Sequence, residues 1–414
     1  MIDRMTQAVV EPPFLADRRA AAAAALSALE LPNFRGVPGW EFTPIEGLEL
    51  DSFAPAPAGD EESGAPLLEL AADGAIRAST EDPGQGAPVV MPLALAAERY
   101  PDVVEKHLGS VVADPDSPFI ARNEALWSDG LLIYVPKGVE VSDPIIVNTV
   151  HEVAGSALHW RLLVVLEEGA KAEVWHQTLS ADAEAEGLVN GVVELVVGAA
   201  ANLRFVDAQA LSESSWVFGS QRAVIERDAS LDWITLGFGS ANGKIFLETK
   251  LAGPGADARV TGAYATRGRQ HVDYDTLQEH AAADTTSDLA FRGILGGRSH
   301  AVWRGMIQVD EGAQRTDAFQ ESRNLLVSRK AHADAIPGLE ILANDVRCTH
   351  AAAIAQVDPE QLFYLRSHGL DEADAHRLVV EGFLHALVER FEEGPVRDAI
   401  AAAIDARLQL TLAA

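Results

Sequence analysis

The only cysteine of the chain lies two residues before a histidine, near the carboxyl end. They are Cys348 and His350, in the segment Asn344-Asp345-Val346-Arg347-Cys348-Thr349-His350. If this segment is a strand, side-chain alternation places Asn344, Val346, Cys348 and His350 on one face. A thiolate and an imidazole suit iron, iron–sulfur clusters, copper or zinc. Two ligands do not complete a tetrahedral site, so further donors must come from elsewhere, including another chain.

A structural interpretation of the same pair stays open. A buried cysteine acts as a small apolar side chain, and a neighbouring histidine can be hydrogen-bonded without binding metal. Packed or surface positions also explain the other histidines that stand out in the β-rich region: His151, His159, His176, His271 and His280.

Acidic residues offer a different chemistry. Asp273, Asp275 and Asp288 resemble the carboxylates of a carbohydrate-active β-helix lyase or hydrolase. Their spacing fits no calcium-binding loop, and solvated turns explain them better. The sequence lacks the phosphate-binding Gly-x-x-x-x-Gly-Lys loop, the Gly-x-Ser-x-Gly elbow and the His-Glu-x-x-His zinc helix, so several major enzyme classes are disfavoured together.

The elements that must position these residues are mainly β. Short β-branched and aliphatic runs, each bounded by Gly, Asp or Asn, begin at about residue 123. They are Leu131–Val135, Pro144–Val150, Trp160–Leu166, Val192–Val197, Leu203–Val206 and Leu231–Leu236. Similar turn sequences begin at Gly169, Gly198, Asp228, Gly255, Gly297 and Gly312. Their spacing predicts a β-solenoid with rungs of about 14 to 15 residues. An antiparallel sandwich is the alternative.

Helical patterns flank the β region. Phe14–Leu31 predicts a short alanine-rich helix, and Ala94–Leu108 predicts helix on either side of Pro101. Residues 51–88 predict loop or weak strand. After His350, the caps Asp358 and Asp371 and the break at 394–395 predict three helices. We therefore expect an amino-terminal region at 1–120, a β-helix core at 121–355 and a helical module at 356–414.

Composition limits the partners and the compartment. The formal net charge of −30 disfavours nucleic acid and anionic lipid as partners, because both are negatively charged. A single cysteine excludes an internal disulfide. We find no run of apolar residues long enough to span a membrane and no secretory pattern at the amino end, so we expect a cytoplasmic protein. The carbohydrate-active alternative fits this less well, since such enzymes are mostly secreted.

The carboxyl-terminal third is similar to the SufB/SufD family of iron–sulfur cluster assembly proteins. The resemblance rests on three stretches in this order: Pro337-Gly338-Leu339-Glu340-Ile341, then residues 344–350, then Phe363-Tyr364-Leu365-Arg366-Ser367-His368-Gly369-Leu370. Residues 123–144 and Trp40 resemble further parts of the family. Residues 1–120 match least. The SufB branch carries a cysteine near Ser322 and a glutamate where His350 stands, so the resemblance favours the SufD branch.

The resemblance implies a right-handed parallel β-helix between helical ends. It implies a non-catalytic scaffold that pairs with a SufB-type subunit and docks a SufC-type ATPase through the helical module. It implies His350 at the interface for the nascent cluster with Cys348 nearby, and iron or a cluster held only transiently. The docking residues that it implies are Phe363, Tyr364, Arg366, Phe383 and Leu387. A SufB-like self-sufficient scaffold and a homodimer of the isolated chain remain alternatives.

Overall fold

The centre of the protein is a parallel β-solenoid, in which the chain alternates between two sheets. The computed structural model describes residues 11–32, 37, 39–59, 64, 66–69, 75–84, 86–114 and 116–412. The first sheet contains β1 (Ala54–Ala56), β2 (Val89–Pro92), β3 (Asp129–Val135), β5 (Ser156–Leu166), β7 (Gly187–Val197), β9 (Ser215–Ile225), β11 (Asn242–Leu251), β13 (His271–His280), β15 (His300–Val309) and β17 (His332–Ile341). The second sheet contains β4 (Ile145–His151), β6 (Lys171–Ser180), β8 (Asn202–Ala210), β10 (Ser230–Gly237), β12 (Asp257–Thr266), β14 (Thr286–Leu295), β16 (Asp317–Leu326) and β18 (Arg347–Gln356).

The strand pairing confirms the solenoid and excludes the sandwich. Neighbouring strands run parallel in both sheets, apart from the antiparallel contact of β2 with β3. The predicted rung length is corrected, however. Partners in successive strands of one sheet, such as Asn202 and Ser230, are about 30 residues apart. The period of 14 to 15 residues is therefore one strand with its turn, which is half of a full turn.

The interior of the solenoid is filled by alternate side chains of both sheets. They form one continuous apolar cluster that runs from the first turns to β17. Aromatic rings stack along it: the Phe291 ring lies 5.3 Å from Tyr274 and 6.3 Å from Trp303. Each turn therefore buries its inward-facing side chains against the turns on either side.

One corner of the solenoid is a column of left-handed residues. Gly138, Gly169 and Gly255 have positive φ values there. The same conformation recurs in the other turns at Ala200, Asp228, Asp284 and Arg315. Backbone N–H groups of six of these seven residues, all but Gly255, donate to a carbonyl of the next turn, as Gly169 does to Ala199 at 2.8 Å. The corner thus connects consecutive turns with backbone hydrogen bonds, at the cost of an unusual φ.

The three predicted carboxyl-terminal helices are confirmed: α5 (Pro359–Ser367), α6 (Glu372–Val388) and α7 (Pro395–Leu412). Asp358 and Asp371 cap the first two through side-chain hydrogen bonds. The apolar sides of α6 and α7 pack on the outer face of the second sheet, where Leu387 and Ile404 join one cluster with Ile234. Helix α5 buries no residue and lies against α6.

The amino-terminal elements cover the outer face of the first sheet. They are α1 (Pro13–Leu26), a 3₁₀ turn (Leu50–Ser52), α2 (Leu93–Arg99), α3 (Pro101–His107) and α4 (Pro118–Leu126). Pro101 separates α2 from α3 as predicted. Helix α1 ends at Leu26 rather than at the predicted Leu31. The Ser27 hydroxyl, directly after the helix, donates to the Ala24 carbonyl. Helix α4 was not predicted, although Ser117 caps it and Pro118 begins it. None of the described helices is long and apolar enough to span a membrane. Residues 60–63, 65, 70–74 and 85 of the predicted loop lie outside the described residues.

Two glycine substitutions should change stability in opposite directions. Gly169→Ala should lower the free energy of unfolding by about 1–2 kcal/mol, because an L side chain is strained at its φ of +70°. No side chain lies near the new methyl, so the cost is that of the backbone. Gly382→Ala, at an open position of α6, should raise the same quantity by about 0.8–1 kcal/mol. Urea unfolding of both variants measures this, and a gain for Gly169→Ala would contradict the account.

Candidate functional site

The solenoid is uncovered at one end. Strands β17 and β18 are the last strands of their sheets, and each pairs on one side only among the described residues. Side chains that would be interior in any earlier turn are exposed here, including Leu339, Ile341 and Ile354. Their register partners one turn back are Ile307, Val309 and Asn324, which are all buried. This end therefore presents apolar surface together with two unpaired strand edges, a combination that favours pairing with another chain.

Cys348 and His350 lie on the strand at this open end. They pair in register with Ala318 and Gln320 of β16, both buried, so both project from the inner face of the last turn. His350 is exposed and Cys348 is half-buried. The prediction that Asn344 and Val346 share this strand face is wrong, because β18 begins at Arg347 and both residues lie in the preceding loop.

The thiol and the imidazole form an incomplete set of ligands. No third histidine, cysteine or carboxylate among the described residues completes a compact group with them. Burial raises the pKa of the Cys348 thiol, and the Asp317 carboxylate raises it further. The thiol is therefore held in its protonated form more strongly than an ordinary cysteine. A bound metal ion or a nearby positive charge would reverse this preference, since the thiolate is the ligand.

Polar side chains below the site were missed by the sequence reasoning. Gln320 is fully buried beneath His350, and its Nε2 donates to the carbonyls of Gly338 at 3.0 Å and Gly305 at 3.3 Å. Its Oε1 atom is buried and has no hydrogen-bond partner among the described residues. Ser322 and Asn324 follow on the same inward face. The run of five polar residues from Gln320 to Asn324 within β16 was the available signal, because strand alternation must turn some of them inward.

The predicted docking residues divide into two groups. Phe363 and Tyr364 on α5 are 76% and 62% exposed, and Arg366 is also on the surface. Phe383 is half-buried against Arg292, and Leu387 is 0% exposed beneath α6. Leu387 is therefore corrected to a packing residue, since no partner can touch it. Phe363, Tyr364 and Arg366 are exposed, Phe383 is partly accessible, and Leu387 is not accessible.

The acidic residues of the enzyme alternative do not meet. Asp273 and Asp275 lie on β13 of the first sheet, where the buried Lys244 ammonium contacts them at 2.9 and 3.5 Å. Burial raises the pKa of Asp273 despite that ammonium. Asp288 lies on β14 of the second sheet and pairs with Arg390 at 3.0 Å. The three carboxylates thus belong to two ion-pair networks on different sheets, which does not support a shared carbohydrate-cleaving site.

The fold and the site together define a class: a parallel β-solenoid with helical additions, whose uncovered end carries a thiol and an imidazole on an edge strand. Comparison with known proteins gives the family. The SufBD core domain of the SUF system for FeS cluster assembly matches residues 148–383, and the SufBD N-terminal region matches residues 78–147. The chain therefore belongs to the SufBD family of iron–sulfur cluster assembly proteins.

Individual relatives agree with this assignment. A SufBD family iron–sulfur cluster assembly protein of Mycobacterium tuberculosis is 31% identical over 72% of this chain and 76% of its own length. The SufD protein of Bacillus subtilis is 29% identical over 76% of this chain and 72% of its own length. The SufB protein of the same organism is also 29% identical, over 70% of this chain and 62% of its own length.

The single cysteine allows a direct measurement of its ionisation. The rate of alkylation by iodoacetamide should rise with pH through an apparent pKa above that of an ordinary thiol, because burial and Asp317 disfavour the thiolate. Asp317→Asn should lower that pKa and increase the rate at neutral pH. The control is Asp345→Asn, which removes an exposed carboxylate three residues away. An equal change in both variants would contradict the role of Asp317.

Proposed function

We propose that this protein is the SufD-type scaffold subunit of an iron–sulfur cluster assembly complex and catalyses no reaction itself. The observation that carries the proposal is the exposed His350, beside Cys348, on the edge strand of an uncovered solenoid end. Such an end supplies ligands and a pairing surface at the same place. Iron and sulfide are the cargo of this site rather than a resident cofactor.

A SufB-type subunit is the partner that we propose for the open end. Its solenoid would cover Leu339, Ile341 and Ile354 and pair with the free edges of β17 and β18. Its side chains would supply the donors that Cys348 and His350 lack. Association then completes the site, because the two half-sites become one only when the apolar ends are joined. Without a partner, the same edges can pair with a second copy of this chain.

Two positions support the SufD branch over the SufB branch. Ser322 stands where the resemblance places a cysteine of SufB, and His350 stands where it places a glutamate. With Cys348 as its only thiol, the chain is poorly equipped to hold a cluster alone. A self-sufficient scaffold would need more soft ligands.

We further propose that a SufC-type ATPase docks on α5 through Phe363, Tyr364 and Arg366. Strand β18 ends at Gln356 and α5 begins at Pro359, so the docking helix follows the strand of His350 almost directly. Movement of α5 during ATP hydrolysis would therefore pull on the edge strand at the joint with SufB. Opening this joint would expose His350 and Cys348 to iron and sulfide.

The proposed setting is the cytoplasm, without nucleic acid or membrane as a partner. The formal charge of −30 supports this, since phosphate backbones and anionic lipids would be repelled. A carbohydrate-active enzyme is not supported, because its three proposed carboxylates are divided between the two sheets.

His350→Ala should reduce cluster formation at least about tenfold, because a metal ligand is lost at the joint. Cluster yield is measured by anaerobic reconstitution of the complex with SufB and SufC, followed by absorbance and iron analysis. The matched control is Thr349→Ala on the same strand, where the exposed side chain points away from the inner face. Undiminished yield in His350→Ala would remove this residue from the mechanism.

Replacing both Phe363 and Tyr364 by alanine should weaken ATPase binding at least about tenfold, since exposed aromatic anchors dominate many interfaces. Point variants are preferable to removal of residues 355–414, because truncation would uncover the outer face of the second sheet. The control is Leu410→Ala, another exposed apolar residue, on α7. Co-purification and titration with SufC are the measurements. Equal SufC affinity in the double variant and the native chain would place the docking surface elsewhere.

A further inference from the structure

Three histidines form a ladder across the last turns of the first sheet. His271, His300 and His332 begin β13, β15 and β17 and are register partners of one another. The rings of His300 and His332 lie 5.0 Å apart, and those of His271 and His300 lie 4.9 Å apart. Because the neighbouring Val272, Ala301 and Ala333 join the interior cluster, alternation places the three imidazoles on the outer face.

A carboxylate joins the two outermost rings of this ladder. Oδ2 of Asp334 lies 2.7 Å from Nε2 of His300 and 3.3 Å from Nε2 of His332. Among the residues that the structure describes, these three form the only group of three or more such side chains with ligand atoms within 4.8 Å of one another. His332 is 67% exposed, whereas His300 and Asp334 are half-buried. The group is thus held by the sheet on one side and is open to solvent on the other.

We propose that His300, His332 and Asp334 bind a divalent first-row transition-metal ion on the outer face of the first sheet. Two imidazoles and one carboxylate are a donor set that suits Fe²⁺ and Zn²⁺ and leaves further positions for water or another ligand. Mg²⁺ and Ca²⁺ prefer oxygen donors and fit this set poorly. A metal ion would replace the hydrogen bond that now joins Nε2 of His300 to Oδ2 of Asp334.

His271 supports the site from its buried side. His271 is only 5% exposed, and its Nε2 has no hydrogen-bond partner among the described residues. The ring contacts the His300 ring edge-on, which restricts the orientation of that ligand. A buried imidazole nitrogen without a partner, next to a potential ligand, is unusual for a purely structural ion pair.

This site is separate from the one that holds His350. His332 and Asp334 lie on the outer face of the first sheet, whereas Cys348 and His350 lie on the inner face of the second. His332, Asp334, Cys348 and His350 belong to the last turn of the solenoid, and His300 belongs to the turn before it. The inference does not depend on the proposed role in cluster assembly, since it concerns metal binding by the isolated chain.

Cobalt titration of the purified full-length chain tests the inference. We expect the native chain, freed of metal by a chelator, to bind one Co²⁺ with visible d–d absorption and to release it to Zn²⁺. His332→Gln and Asp334→Asn should each weaken this binding at least about tenfold, because each removes a direct ligand. In anaerobic equilibrium dialysis, Fe²⁺ should likewise bind the native chain more tightly than either variant.

Two controls separate this site from other histidines. Cys348→Ala combined with His350→Ala should retain the bound Co²⁺, and His368→Gln, an exposed histidine on α5, should bind as the native chain does. Circular dichroism checks that each variant is folded. The proposal is overturned if the native chain binds no Co²⁺, if His332→Gln and Asp334→Asn bind it undiminished, or if binding disappears only with Cys348 and His350.

Discussion

The parallel stacking of one turn on the next is the constraint on which the other features depend. Inward-facing side chains are buried only when another turn covers them, and the left-handed corner at Gly169 and its equivalents holds consecutive turns together. In the middle of the solenoid this burial is complete. At β17 and β18 it is not, and the same residue pattern that forms a core elsewhere becomes an exposed apolar end. The candidate site is thus a consequence of where the stacking stops.

The outer faces of the two sheets explain how the remaining chain is arranged. Amino-terminal elements cover the first sheet, and α6 and α7 cover the second. Neither covers the last turn, so the ladder that ends at His332 and the edge strand that carries His350 both reach the surface. Helix α5 is the exception among the carboxyl-terminal helices, because it packs on neither sheet and directly follows β18.

Several buried charged side chains form ion pairs and hydrogen bonds within the fold. The Lys244 ammonium lies between Asp273 and Asp275 under the amino-terminal segment, and Arg407 of α7 reaches Glu213 and Gln270. The Thr43 hydroxyl donates to Asp273, so this network attaches the amino-terminal segment to the first sheet, and the Arg407 contacts attach α7 to the solenoid. Potential metal ligands, in contrast, are concentrated in the last turn, where water and a partner have access.

The sequence alone indicated a solenoid while leaving a sandwich open, and it determined the carboxyl-terminal helices and the placement of Cys348 with His350 on one face, because strand alternation, turn spacing and helix caps are local properties. The parallel pairing of the strands was implied by the family resemblance and is shown by the structure. The sequence did not determine that the repeat is half of a full turn, since a period cannot show how many sheets share it. Helix α4 was not predicted, because a single Ser-Pro pair is its only start signal. The burial of Leu387 and the meeting of His300, His332 and Asp334 depend on which faces lie against which neighbours. Only the tertiary structure decides that, because these contacts join residues that are distant along the chain or on opposite sides of an element.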